Sequence, residues 1–312
     1  MDSVNKKSGH DRPGPRSAEA DAKPASSPAF RLLADTGPNL DLSREQFERV
    51  SRMVHDYCGI HLQDGKQSLV SARVAKRVRA RGMNSIGEYL ELLSKDSQGE
   101  EFECLIDAIS TNLTSFFREN SHFEFLRTKL LPRLAKARGG ASRVQLRGWS
   151  AACSTGEEPY TLAMTVLDVL GDVAAADTRI LATDICHTVL KKARAGRYGA
   201  DRVANIPAAM RDRYLDRRGA GAEEYEVRAA VKSMVKFNHL NLMDAWPFQG
   251  PLDFVFCRNV MIYFDKPTQE KLVNRIFGVL RPGGVLFTGH SESLTGITHS
   301  FRYVEPTIYE KP

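Results

Sequence analysis

Hydrophobic positions divide the chain into three regions with different spacing. Residues 1–38 carry no regular apolar pattern and are rich in proline, serine, alanine, glycine and charge, which predicts a disordered tail. Residues 39–138 place apolar side chains three or four positions apart, which predicts an all-helical domain. Within it, Ser43 is typical of a helix start and Gly59 of a helix end. The last helix of this region is predicted to end near Pro132.

From about residue 143 onward, short apolar runs alternate with helical patterns. Strand-like runs lie at Val144–Trp149, Arg179–Asp184, Leu252–Cys257 and Val285–Gly289. This alternation predicts a mostly parallel sheet covered by helices, and therefore an α/β domain over residues 139–312. Residues 198–240 interrupt the alternation with extended pieces at Tyr225–Arg228 and Met234–Phe237. These pieces predict a small β insert.

Composition limits the kind of protein and its chemistry. The 312 residues suffice for about two domains. No apolar run approaches the roughly 20 residues that span a bilayer, and the amino terminus lacks a signal-peptide pattern. We therefore expect a cytoplasmic protein without membrane insertion. Five dispersed cysteines fit a reducing compartment and indicate no metal site. The net charge of +6 suits an anionic partner, either nucleic acid or an acidic protein surface.

A run rich in small residues, Gly148–Tyr160, lies between the first predicted strand and the next helix. Open α/β sheets bind nucleotides outside the carboxyl ends of their strands, and small residues let a ligand approach the backbone. The run has neither a dinucleotide-binding nor a P-loop glycine pattern. Glu157 and Glu158 place negative charge at the helix start, which favours a cationic ligand. A simple capping turn with acids beside the helix dipole is an equal alternative.

Polar residues also accompany the other predicted strands. Asp184 ends the second strand, where a carboxylate can accept hydrogen bonds from ribose hydroxyls or can instead cap the next helix. Thr111–Glu119 joins the helical region to the sheet and fits either a helix boundary or a site. Cys257–Phe264 begins at the end of a buried strand, where polar residues favour a site, although Tyr263 fits the core equally well.

Together these runs resemble the CheR-type chemotaxis receptor methyltransferases. The resemblance rests on Thr111–Glu119, Ser154–Tyr160, Ala182–Ile185, Asn241–Leu242, Cys257–Phe264 and Gly283–Ser293. It covers about residues 40–310 and implies a Rossmann-like class I methyltransferase sheet with an all-helical amino-terminal domain and a small inserted antiparallel β subdomain. It also implies a protein-glutamate O-methyltransferase that uses S-adenosylmethionine, releases S-adenosylhomocysteine and esterifies glutamate side chains of chemoreceptors.

The resemblance further implies roles for individual residues. Those implied to line the cofactor site are Asn112, Thr114, Arg118, Glu157, Asp184, Asn241, Leu242, Arg258 and Asn259. Arg118 and Tyr263 are implied to lie near the transferred methyl group as catalytic residues. A glutamate carboxylate, with a pKa of about 4.3, is ionised near neutral pH and needs no general base. Positioning and electrostatics must then supply most of the rate. We hypothesise that Arg118 orients the carboxylate of either the substrate or the cofactor and that Tyr263 shapes the pocket around the methyl group.

A basic stretch without acids lies between Asp64 and Glu88. Its charged residues are Lys66, Arg73, Lys76, Arg77, Arg79 and Arg81. On a helix, Arg73 and Arg77 share a face one turn apart, and we predict that they dock the cytoplasmic helical region of a chemoreceptor. The alternative is an ordinary solvated face.

Two other functions compete with receptor methylation. A nucleic-acid methyltransferase would fit the basic charge, but methylation of base amines needs a DPPY-like or NPPY-like motif, which Cys257–Val260 does not supply. We therefore expect no nucleic-acid partner. A binding module that keeps the cofactor without catalysis is disfavoured by the presence of Arg118 and Tyr263. We expect the protein to act as a monomer.

Overall fold

The computed structural model describes residues 40–95, 99–140, 145–172, 177–219, 221 and 223–312. The predicted tail at residues 1–38 lies outside the described residues. All described residues belong to one compact unit. Among the helices in these ranges, none is both long and apolar enough to cross a membrane.

Four helices with a shared apolar core form the amino-terminal part. They are α1 (Arg44–Cys58), α2 (Gln67–Ala80), α3 (Ile86–Lys95) and α4 (Glu100–Ile109). The Ser43 side chain accepts a hydrogen bond from the Gln46 backbone, and the Gln46 side chain accepts one from the Ser43 backbone, which confirms the predicted helix start. Gly59 ends α1 at a φ of 75°, a conformation that costs glycine little. The buried faces of these helices meet around Val54 and Val74.

A continuous helical run then leads towards the sheet. It consists of α5 (Ser121–Phe125), a π-helical turn (Leu126–Leu130) and α6 (Leu131–Ala137). The prediction that this helix ends near Pro132 is wrong. Pro132 lies in the first turn of α6, directly after the wider π turn. Proline lacks an N–H, and the first turn of a helix is where that N–H has no helical partner to lose.

The remaining elements build a seven-stranded sheet and a smaller sheet. The strands are β1 (Leu146–Ala151), β2 (Thr178–Asp184), β3 (Arg197–Gly199), β4 (Leu215–Arg218), β5 (Glu224–Val227), β6 (Val235–His239), β7 (Leu252–Cys257), β8 (Leu280–Thr288), β9 (Arg302–Glu305) and β10 (Ile308–Glu310). The helices are α7 (Glu157–Leu170), α8 (His187–Ala195), α9 (Ala200–Val203), α10 (Ala208–Tyr214), α11 (Ala229–Lys232) and α12 (Lys266–Val279).

The main sheet has the strand order β6–β2–β1–β7–β8–β10–β9. Its first five strands pair in parallel, whereas β10 pairs antiparallel with both β8 and β9. Long apolar side chains from the strands and from α7 form the core beneath it. The predicted α/β fold with a mostly parallel sheet is confirmed.

The small sheet has the order β3–β5–β4 and is antiparallel throughout, as predicted for the β insert. The prediction that Met234–Phe237 belongs to this insert is wrong. Strand β6, which contains most of that run, pairs in parallel with β2 from Val235 to His239. Val235 and Phe237 pack on the main core, so this strand extends the large sheet at its edge.

The carboxyl ends of β1, β2, β6 and β7 lie side by side because these strands are parallel neighbours. The amino-terminal helices cover this edge of the sheet. The His61 backbone N–H donates to the Tyr263 carbonyl at 2.7 Å. The Asn241 side chain donates to the Tyr57 carbonyl at 2.6 Å. The fold therefore brings together the segments that follow β1, β2, β6 and β7, and the helices α1–α4 cover them.

Close packing between β1 and β7 makes Gly148 intolerant of a side chain. Gly148 pairs with Phe254, and a Cβ at Gly148 would overlap the buried Phe254 ring. We predict that Gly148→Ala lowers the free energy of unfolding by about 1–3 kcal/mol, measured by urea denaturation. Gly278→Ala is the control, because a Cβ there meets no atom within 4 Å and Gly278 lies in α12. It should raise the free energy of unfolding by about 0.5–1 kcal/mol. Equal effects of the two changes would contradict this packing.

Candidate functional site

A cleft opens at the carboxyl edge of the sheet. It lies between the sheet and the amino-terminal helices α1–α4, which we call the helical roof. Ten of the twelve sequence-predicted site residues line it: Arg73, Asn112, Thr114, Arg118, Asp184, Asn241, Leu242, Arg258, Asn259 and Tyr263. They come from α2, the loop before α5, the end of β2, and the segments after β6 and β7. Glu157 and Arg77 do not line it. The structure thus brings most of the predicted site into one cavity.

Arg258, directly after β7, is the buried centre of the cleft wall. Its guanidinium donates to Glu119 at 2.9 Å and to Glu158 at 3.0 Å, and also to the Arg118 carbonyl. The guanidinium lies over the Phe123 ring, 5.6 Å from the centroid. Three separate segments of the chain are joined through this one side chain.

The two carboxylates beside Arg258 differ in their electrostatics. Burial alone would raise the pKa of Glu119, but the hydrogen bond and charge of Arg258 lower it to about 2. Asn259 also donates to Glu119, at 3.1 Å. For Glu158 the effect of burial prevails and raises its pKa, although Arg258 and Ser150 donate to it. Glu119 is therefore the firmly ionised partner of the pair.

Asp184, at the end of β2, organises the loop that follows β1. One carboxylate oxygen accepts from the Ser154 N–H at 2.8 Å and the other from the Cys186 N–H at 2.9 Å. Burial raises the pKa of this carboxyl group. Asp184 is not the N-cap of α8, because that position is held by Cys186. Each oxygen keeps a further lone pair, so the carboxylate can still accept hydrogen bonds from a ligand in the cleft.

Two asparagines connect the loops around the cleft. The Asn112 carbonyl accepts from the Ser154 hydroxyl at 2.9 Å, which ties the loop before α5 to the loop after β1. The Asn241 side-chain oxygen accepts from the Met243 N–H at 3.0 Å while its amide binds the roof. Leu242 supplies a buried apolar wall. The cleft thus combines amide groups, carboxylates and apolar surface.

Arg118 and Tyr263 lie where the cleft lining reaches the loop before α5 and the turn after β7. The Arg118 guanidinium donates to the Leu113 carbonyl at 2.6 Å. This hydrogen bond closes the loop that carries Leu113 and Arg118. Phe117 and Glu119 adopt φ values of 54° and 56°, an uncommon conformation that shapes this loop. The ammonium group of Lys66 lies 5.5 Å from the centre of the Tyr263 ring.

Glu157 does not face the cleft, contrary to its implied role in cofactor binding. It is fully buried, pairs with Arg202 and accepts from the Thr155 hydroxyl at 2.7 Å. Successive residues of a helix point about 100° apart, so of two adjacent acids at the start of α7 only one can face the cavity. That residue is Glu158.

Arg77 does not present a free charge, contrary to the predicted docking face. It forms a two-pronged ion pair with Glu101 at 2.9 and 2.7 Å, and Tyr89 donates to the same carboxylate. Arg73 has a different role from Arg77, because it lines the cleft and donates to the Ile109 carbonyl. Glu101 on α4 thus neutralises Arg77, one of the two arginines that were predicted to dock the receptor.

Three acids are central to the site, and only Glu158 was assigned a role from the sequence, as a charge that favours a cationic ligand. Glu119 and Glu158 hold Arg258, while Glu292 accepts from the backbone N–H groups of Gly289 at 2.6 Å and Asn259 at 2.7 Å. All three lie inside or beside the runs that carry the family resemblance. Their position within these runs is the signal by which the sequence could have identified them.

Two groups of side chains among the described residues could hold a metal ion by proximity. Glu103, His187 and His239 form one group, and Glu119, His122 and His290 the other, each with ligand atoms within 4.8 Å of one another. In the second group Glu119 is already paired with Arg258. Burial lowers the pKa of His122 to about 3, so this imidazole stays neutral.

The depressed pKa of Glu119 makes part of the stability depend on pH. We predict that Glu119→Gln lowers the free energy of unfolding by about 2–3 kcal/mol at pH 7, since Arg258 keeps only Glu158 as a partner. The difference from the wild type is full above the ordinary value of 4.5 and is lost as the pH falls towards the folded-state pKa of about 2. Denaturant melts between pH 7 and pH 3 measure it.

Glu124→Gln is the matched control for this prediction. Glu124 pairs with Arg127 at the surface, where both side chains are 47% exposed. Its loss should cost less than about 1 kcal/mol at every pH. A Glu119→Gln penalty that persists unchanged at pH 3 would contradict the assigned ionisation.

Comparison with known proteins places this cleft in a family. Residues 45–110 match the CheR methyltransferase, all-alpha domain, and residues 112–309 match the CheR methyltransferase, SAM binding domain. A chemotaxis protein methyltransferase of Escherichia coli is 40% identical over 281 residues, covering 89% of this chain and 94% of that protein. One from Borreliella burgdorferi is 38% identical over 275 residues, covering 88% and 96%. The chain belongs to the CheR methyltransferase family, whose catalytic domain binds S-adenosylmethionine.

Proposed function

We propose that this protein transfers the methyl group of S-adenosylmethionine to glutamate side chains of chemoreceptors, forming glutamyl methyl esters. The observation that carries the proposal is the charge arrangement of the cleft. Two acids line it, Asp184 at the end of β2 and Glu158 at the start of α7. Three cations from the roof and loops line it as well, Lys66, Arg73 and Arg118. The acids suit a cationic sulfonium, and the cations suit an anionic substrate. The printed names of the relatives, chemotaxis protein methyltransferases, agree with a chemoreceptor substrate.

The cleft residues fit the cofactor group by group. Asp184 has lone pairs left for ribose hydroxyls, Asn112 offers a side-chain amide, and the side-chain oxygen of Asn241 keeps one lone pair beyond its bond to Met243. Leu240 and Leu242 provide apolar surface for a base. When bound, S-adenosylmethionine supplies an electrophilic methyl group on a positively charged sulfur. The protein's task is then to hold the two reactants in line.

The nucleophile needs alignment more than activation. A glutamate carboxylate is ionised near neutral pH, so its oxygen can attack the methyl carbon as the sulfur–carbon bond breaks, and no proton moves. We assign Arg118 the role of orienting the incoming carboxylate. Tyr263, stacked beneath Lys66, limits the space around the methyl group. The rate then comes from proximity and preorganised charge.

Recognition of the receptor helix involves the basic side chains beside the cleft. Arg73 and Lys66 line the cleft from the roof and suit an acidic partner, while Arg77 instead stabilises the roof through Glu101. We further propose that the protein works as a monomer in the cytoplasm and has no nucleic-acid partner. All five cysteines are free, which accords with that compartment.

Labelled methyl transfer tests this function directly. Incubation with methyl-labelled S-adenosylmethionine and a purified receptor cytoplasmic fragment should give protein-bound label, whereas RNA should remain unlabelled. A glutamyl ester releases methanol in mild base, so the protein-bound label should become volatile at alkaline pH. Label that resists base would contradict an ester product.

Arg118 provides a second test within the enzyme. We predict that Arg118→Ala lowers kcat at least about 100-fold, because misplacing reactants by even 1 Å has costs of that order. The affinity for S-adenosylhomocysteine, measured by calorimetry, should change far less. Arg127→Ala is the control, since Arg127 pairs only with the exposed Glu124 and should leave kcat within about twofold. Near-normal turnover of Arg118→Ala would exclude the assigned role.

A further inference from the structure

Large hydrophobic side chains at the surface are concentrated beside the cleft. Among the described residues four such side chains are exposed: Leu69 at 48%, Leu113 at 73%, Ile262 at 46% and Tyr303 at 60%. Leu69 and Leu113 line the cleft, and Ile262 immediately precedes Tyr263, which also lines it. Tyr303 lies on β9, at the far edge of the sheet. We call Leu69, Leu113 and Ile262 the apolar rim.

The apolar rim is held in place by polar contacts of its backbone. The Leu113 carbonyl accepts from Arg118, and the Ile262 N–H donates to Glu292 at 3.1 Å. Leu69 lies in the first turns of α2, three residues after Lys66. The three residues thus come from three fixed segments rather than from one loose loop. Such an arrangement leaves apolar side chains in water in a defined geometry.

Charge beside the rim indicates what covers it. Lys66, Arg73 and Arg118 line the same cleft as the exposed leucines. A surface that combines cations with large apolar side chains complements a partner with carboxylates beside apolar residues. On a helix, residues three or four positions apart share one face, so a single helical face can present both.

We propose that the apolar rim docks the substrate helix by contacting apolar side chains one turn away from the target glutamate. This inference rests on the proposed function and specifies its substrate. Contact along the rim covers the cleft and removes water from around the attacking carboxylate. A carboxylate that has lost its hydration shell is positioned by the cations of the cleft, Arg118 among them, and is a better nucleophile. The rim therefore selects glutamates by their apolar neighbours.

Serine substitutions on the rim test the proposal. Leu113→Ser and Ile262→Ser should each lower kcat/KM for a receptor fragment about tenfold, as expected for one lost apolar contact. The affinity for S-adenosylhomocysteine should stay within about twofold of the wild-type value. Tyr303→Ser is the matched control, an equally exposed hydrophobic residue away from the cleft, and should leave kcat/KM unchanged. Thermal melts of all variants confirm folding.

A substrate variant makes the test reciprocal. Replacing apolar residues one turn from the target glutamate by serine should lower kcat/KM with the wild-type enzyme, but should add little to the loss in Leu113→Ser. Losses of kcat/KM that add up between the enzyme and substrate variants would overturn the proposed docking on the apolar rim. Rim variants with wild-type kcat/KM would overturn it as well. A parallel loss of S-adenosylhomocysteine affinity in the rim variants would also overturn it. Failure of the wild type to methylate any receptor fragment would instead overturn the proposed function, and the rim's role with it.

Discussion

The ion cluster around Arg258 is the interaction on which the site depends. One buried guanidinium joins the turn after β7 to Glu119 before α5 and to Glu158 at the start of α7. Taking these charges out of water is costly unless they compensate one another, so the three segments are stable only together. The same guanidinium binds the Arg118 carbonyl, so the proposed catalytic loop is attached to the cluster directly.

Around this cluster the fold separates three kinds of surface. The parallel strands bring Asp184, Asn241 and Asn259 to one edge, where open α/β sheets generally bind their ligands. The amino-terminal helices add Lys66 and Arg73 opposite them, and the exposed leucines border the opening. A cationic cofactor, an anionic nucleophile and an apolar partner surface each find complementary groups. Methyl transfer to a carboxylate requires no more than this arrangement, because no proton has to be removed.

The sequence was sufficient for the parts of this structure governed by local rules. Alternating runs predict the parallel sheet, and the Ser43 cap and Gly59 end follow from backbone chemistry. Predictions that depend on distant partners fared worse. No residue close to Arg77 in the sequence indicates that its guanidinium pairs with Glu101, because Glu101 lies on a different helix. The choice between Glu157 and Glu158 depends on how α7 is rotated about its axis, and tertiary packing sets that rotation.

Mapping the methylated residue tests the account most directly. A receptor cytoplasmic fragment is incubated with the protein and S-adenosylmethionine, digested under acidic conditions and sequenced by tandem mass spectrometry. We expect one added methyl group on glutamate side chains that have apolar residues one helical turn away. Methylation on lysine, arginine or histidine nitrogens would contradict it, since the cations Lys66, Arg73 and Arg118 in the cleft suit an anionic nucleophile.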